Sequence, residues 1–118
     1  MGAREPDHAL LPRDLDGQRL VAKFFRALGD PSRLRILELL LSGEKSVGEC
    51  VDTLQLTQSR VSSHLACLSD CGYVTLRRDG RKSLYSVADS RVVDLVRLAT
   101  VLANENAEAV AACSRIDE

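Results

Sequence analysis

The chain has 118 residues, 45% of them hydrophobic, which supports one small domain with one core and is too little for two. No apolar run approaches the roughly 20 residues that cross a bilayer, and residues 1–13 lack the apolar stretch of a secretory signal, so no membrane contact and a cytoplasmic location are expected. A formal net charge of −1 excludes a uniformly basic nucleic-acid binder, though not a local basic patch.

Residues 1–13 carry two prolines, mixed charges and no periodicity, and read as a flexible N-terminal arm with a solvated His8. Between residues 15 and 28, Val21, Phe24, Phe25 and Leu28 recur at helical spacing, with Gly29 placed to end that helix in the left-handed conformation. Asp30-Pro31 restarts the chain as N-cap and first helical residue of a second helix reaching about residue 41, with Leu34, Leu37, Leu40 and Leu41 facing a core. Ser46 and Glu49 have the spacing of a capping box, which predicts a short third helix to about residue 54 with Val47, Cys50, Val51 and Leu54 as its stripe.

Thr57 caps a fourth helix that ends near Cys71, just before Gly72, with Val61, Leu65 and Leu68 as its buried edge. Residues 73–76 and 83–87 are strand-like, and Asp79-Gly80 between them is a hairpin signal. Asp89 or Ser90 caps a last helix to about residue 108. Its apolar positions, from Val92 and Val93 through Leu98 to Val101 and Leu102, form a stripe too wide for one neighbour.

Short helices followed by a hairpin predict a mainly α fold with a small β-hairpin, a winged helix-turn-helix over residues 14–108, with residues 109–118 as a C-terminal tail. In that fold the helix after the turn enters the DNA major groove. Its polar residues Gln58, Ser59, Arg60, Ser62, Ser63 and His64 are the candidate readers, and Arg77, Arg78, Arg81 and Lys82 on the hairpin are candidate phosphate ligands. From Thr57 to Lys82 there are five bases against two acids, so the positive charge sits where a DNA-reading element needs it. The wide apolar faces of the first and last helices call for a second copy. A two-fold homodimer then reads double-stranded operator DNA with an imperfect inverted repeat. An enzyme is not expected: a thiol oxidoreductase would need a Cys-x-x-Cys motif that the chain lacks.

Three stretches in order, Ala27-Leu28-Gly29-Asp30-Pro31-Ser32-Arg33-Leu34, then Thr57-Gln58-Ser59-Arg60-Val61-Ser62-Ser63-His64-Leu65, then Gly72-Tyr73-Val74 through Tyr85-Ser86-Val87, resemble the ArsR/SmtB family of metal-responsive repressors. The resemblance spans about residues 20–103. It implies a dimer that represses without metal and leaves DNA when an inducer binds.

The family places its sensing sites variably. Where one site has a Cys-x-Cys, this chain reads Val47-Gly48-Glu49, and Cys50 falls in an apolar stripe as a core residue. Where another has an aspartate and histidines on the last helix, Asp89 is present but Arg91 and Leu102 stand in the places of the two histidines, which disfavours zinc or nickel there. The match is to the cadmium- and lead-responsive branch resembling CmtR, with paired cysteines in the reader helix and a third in the tail. The resemblance thus implies Cys67, Cys71 and Cys113 as metal ligands. Cys67 and Cys71 are spaced i, i+4, which sets them on one helix face, and a soft thiolate set selects soft ions. Cd2+ or Pb2+ is the first expectation and Hg2+ or As(III) the second. A thiol-based redox sensor using the same cysteines is the alternative of a different class.

Overall fold

Each of five helices starts at a side chain that accepts a backbone N–H: Asp14, Asp30, Ser46, Thr57 and Asp89. The structure, a computed structural model, describes residues 10–116. Helix α1 spans Leu15–Leu28, α2 Pro31–Leu40, α3 Val47–Leu54, α4 Gln58–Asp70, α5 Ser90–Glu105 and α6 Ala107–Ala112. At α3 the capping box is complete, because Ser46 Oγ accepts from the Glu49 N–H while the Glu49 carboxylate accepts from the Ser46 N–H. His8 and most of the expected arm, residues 1–9, lie outside the described residues; residues 10–13 carry no helix or strand.

Strands β1 (Lys45–Ser46), β2 (Val74–Asp79) and β3 (Lys82–Val87) form an antiparallel sheet in the order β1-β3-β2. The expected hairpin is therefore longer than its hydrophobic alternation suggested and gains a third strand, which at two residues is too short to show any period. The turn is also shifted by one residue. Asp79 pairs with Lys82, leaving Gly80-Arg81 as the loop, and among these two only Gly80 has positive φ (63°), as a II′ turn requires of its first central residue.

The core lies where α2, α3 and α4 meet under the sheet: Ile36, Leu37, Leu40, Cys50, Val61, Leu65, Leu68 and Tyr73 are buried. Between α3 and α4 the chain turns through Gln55 in the left-handed conformation (φ 59°), and Arg35 Nη2 donates to the Leu54 carbonyl at 3.0 Å, fixing the helix-turn-helix corner. Tyr73 anchors the sheet to α1, stacking on Phe24 with centroids 4.3 Å apart and donating its O–H to the Phe24 carbonyl at 2.7 Å. Burial pushes the Tyr73 pKa up to about 12.

Three expectations are corrected. Gly29 ends α1 with φ −80°, outside the left-handed region, and an added Cβ would meet the Arg26 carbonyl at 3.4 Å, an ordinary contact distance, so the helix end does not depend on a left-handed glycine. Leu34 and Leu41 are exposed, not core-facing; Ile36 takes the buried place because α2 rotates its Ile36, Leu37 and Leu40 face inward. The last helix breaks at Asn106, whose Nδ2 donates back to the Leu102 carbonyl at 2.8 Å, and α6 carries helix into the expected tail, through Ala112. In α5 only Val92 is buried, while Leu98, Val101 and Leu102 stay exposed. Among the described residues no helix is long and apolar enough to cross a membrane.

Candidate nucleic-acid interface and metal centre

Helix α4 is two-faced. Val61, Leu65 and Leu68 lock it into the core, and this buried edge turns Gln58, Ser59, Arg60, Ser62 and Ser63 outward to solvent. Five adjacent exposed side chains able to donate or accept hydrogen bonds, on a helix held rigidly by three buried ones, form a surface suited to base edges and phosphates. His64 departs from this pattern. Its side chain is only 14% exposed and turns toward Asp30 and Arg33.

The four hairpin cations also divide. Arg81 and Lys82 are exposed at the tip, and Arg78 is exposed with Nη1 donating to Ser83 Oγ at 3.2 Å. Arg77 instead clasps Glu44 in a bidentate pair, with both N–H···O distances 2.8 Å. That bond holds the Glu44 carboxyl below its usual range, and it ties the base of β2 to the loop before β1. Sequence spacing offers no sign of this pairing, since the two residues are 33 positions apart.

Cys67 and Cys71 lie at the other end of α4. Cys71 is its C-cap, with its N–H donating to the Cys67 carbonyl, and both thiols open onto a cleft of about 610 Å³ against Leu20, Lys23 and Phe24 of α1, beside Asp70. Burial raises the Cys71 pKa, helped by the charge and hydrogen bond of neighbouring Cys67 and opposed by Lys23. The i, i+4 spacing thus brings two sulfurs together as expected. Lys23, which the sequence reading did not single out, lines the same cleft and acts electrostatically on Cys71; nothing local in the sequence links it to α4.

Cys113 follows α6 and is partly exposed. Among the described residues of one chain, no three His, Cys, Asp or Glu side chains converge where they could hold a metal ion, so Cys67 and Cys71 do not meet Cys113 within a protomer. Cys50 is fully buried in the core, where burial raises its pKa, as expected of a structural cysteine. Asp89 caps α5 and is bound through both oxygens by Arg91, which pulls its pKa down to about 2, so it is committed locally.

Three short helices, a left-handed turn, an exposed polar helix and a basic hairpin define a winged helix-turn-helix DNA-binding regulator rather than an enzyme. Residues 30–75 match the arsR family of bacterial regulatory proteins. The chain is 57% identical over 95 residues to the "Probable mercury resistance operon repressor" of Streptomyces lividans, covering 80% of this chain and 76% of that one. It is 46% identical over 72 residues to the HTH-type transcriptional regulator CmtR of Mycobacterium tuberculosis, covering 61% of each chain. A solution structure of a homodimeric winged helix-turn-helix DNA-binding domain from Mycobacterium bovis superposes with a TM-score of 0.73 at 32% identity, over 79% of this chain and 86% of that one. The chain belongs to the arsR family of transcriptional regulators.

Proposed function

We propose that this protein is a cytoplasmic homodimeric repressor that leaves its operator when a soft, thiophilic metal ion binds Cys67 and Cys71. The observation that carries the proposal is that two thiols in contact sit at one end of the helix whose other end presents the polar reader surface. An ion joining them acts on the same rigid element that touches DNA, so binding at one site biases the other. We take mercury(II) as the first candidate, with the name of the Streptomyces lividans relative as support, and cadmium, lead and arsenite as the others. A three-sulfur ion takes Cys113 of the partner subunit, since the chain's own Cys113 does not join the pair.

The donor set fits such an ion. Thiolates are soft, and among the described residues no histidine or carboxylate cluster lines the cleft to hold a harder ion. Because Cys71 is a protonated thiol at neutral pH, it gives up its proton on metallation. Apparent metal affinity therefore rises with pH, by about tenfold per unit for each proton displaced, which a titration between pH 6 and 8 measures; a flat profile would show that Cys71 is not a ligand.

A mixed dimer of Cys67→Ser with Cys113→Ser tests the shared site. Shared ligands leave one complete set of three sulfurs and the corresponding sulfur-to-metal absorption. If these dimers show none while the wild type does, the third sulfur is not the partner's.

On the DNA side, Arg78, Arg81 and Lys82 contact phosphates, and Gln58, Ser59, Arg60, Ser62 and Ser63 face the groove. Neutralising Arg81 and Lys82 together flattens the slope of log affinity against log salt by about 0.9 per lost contact. Arg77→Gln changes the slope less, because Glu44 already holds that guanidinium. An unchanged slope in the Arg81 and Lys82 variant would remove the wing from the interface. Cys50→Ser leaves metal release intact while costing about 1–3 kcal/mol, since a hydroxyl would be buried in an apolar core; denaturant unfolding measures the loss.

A further inference from the structure

We infer that His64 is a positioning residue that clamps the reader helix to the corner between α1 and α2, and that it does not read bases itself. The inference rests on the proposed reading of α4 as the DNA-reading helix. His64 Nδ1 lies 3.3 Å from Arg33 Nη1 and its Nε2 lies 3.9 Å from Asp30 Oδ1. A guanidinium only donates, so Nδ1 accepts; the neutral ring therefore carries its proton on Nε2, on the side of the Asp30 carboxylate.

Both partners are themselves held. Asp30 Oδ1 accepts the N–H groups of Ser32 (2.8 Å) and Arg33 (3.2 Å), which fixes it at the start of α2. Arg33 Nε donates to the Ala27 carbonyl at 2.5 Å and Nη2 to the Arg26 carbonyl at 3.4 Å, using its fork to satisfy the last turn of α1. Through one imidazole, then, the middle of α4 is joined to the end of α1 and the beginning of α2. The five polar residues around it, Gln58, Ser59, Arg60, Ser62 and Ser63, are all exposed, whereas His64 is turned in. Hydrophobic packing of Val61, Leu65 and Leu68 sets which face of α4 turns inward; the hydrogen-bonded clamp adds a directional tie to the ends of α1 and α2 that packing alone does not make.

A double-mutant cycle on operator affinity tests this. His64→Ala is expected to weaken operator binding about tenfold in the wild-type background and by less than about twofold when Arg33→Gln is already present, because residues acting through one another are not additive. His64→Gln, whose carbonyl can accept from Arg33, is expected to recover most of the loss. In the metal-free wild type, nitrogen chemical shifts of the imidazole are expected to report the proton on Nε2, and to do so unchanged in the operator complex. Equal losses from His64→Ala in both backgrounds would overturn the inference, as would a proton on Nδ1. Melting curves and metal binding by Cys67 and Cys71 check that each variant is folded. If Gln58→Ala and Ser62→Ala leave operator affinity untouched, the reading of α4 as reader fails and the clamp's role in DNA binding falls with it; additivity with those variants intact overturns the clamp alone.

Discussion

Replacing Cys67 with serine yields a repressor that binds its operator as the wild type does and is no longer released by a soft metal ion. The side chain is only partly buried at the cleft between α1 and α4, so serine fits without leaving a cavity, and the reader face is on other positions of the helix. What is lost is one of two adjacent sulfurs. A hydroxyl is a hard, weakly binding donor for mercury, cadmium or lead, so the chelate with Cys71 disappears. Operator affinity in saturating metal is expected to differ between the two proteins by about tenfold to a hundredfold, the usual size of a coupling between sites. Fluorescence anisotropy of labelled operator measures it. If Cys67→Ser instead unfolds the protein or abolishes DNA binding in the absence of metal, the cysteine serves packing, not sensing.

A second large effect is expected on α5. Leu98 and Leu102 are 58% and 51% exposed, on a helix with one buried residue, and a monomer has nothing to cover them. Changing both to glutamate puts four charges into the interface of a two-fold dimer, and the protein is expected to become monomeric. The protomer fold should persist, because neither side chain belongs to the core. Operator affinity then falls by about a hundredfold or more, since the second half-site is no longer presented at a high effective concentration. Light scattering and anisotropy on one sample read both changes. A monomer with undiminished operator affinity, or a variant that stays dimeric, would mean that α5 is not the dimerisation helix.

Much of the architecture was legible because helix starts are written locally. A capping side chain and the N–H it accepts from lie within three residues of each other, and at Asp30, Ser46, Thr57 and Asp89 the decisive contact is of that kind, as it is at Asp14, which the periodicity of α1 did not single out. The pairing of Cys67 with Cys71 was legible for the same reason, one helical turn separating them. Misplacing Leu34 and Leu41 has a different origin: periodicity identifies an apolar stripe but not which of its edges the chain itself covers, and these two line a groove against Val93, Val96 and Val101 of α5. The clasp of Arg77 on Glu44 and the clamp of His64 on Arg33 join residues more than thirty positions apart, where spacing carries no information. Both give a residue that sequence alone assigned to DNA a partner within the fold. Sequence distance also hides that Cys113 lies apart from the other two sulfurs within one protomer.

The central claim is that one event, an ion binding Cys67 and Cys71, frees the DNA. It is tested most directly by titrating the reduced, operator-bound protein with mercury(II), and separately with cadmium, while recording sulfur-to-metal absorption and operator anisotropy on the same sample. The two signals are expected to change together and to saturate at the same stoichiometry, and both are expected to vanish in Cys67→Ser. Absorption that rises to saturation while the operator stays bound would contradict the account, as would release that persists in Cys67→Ser.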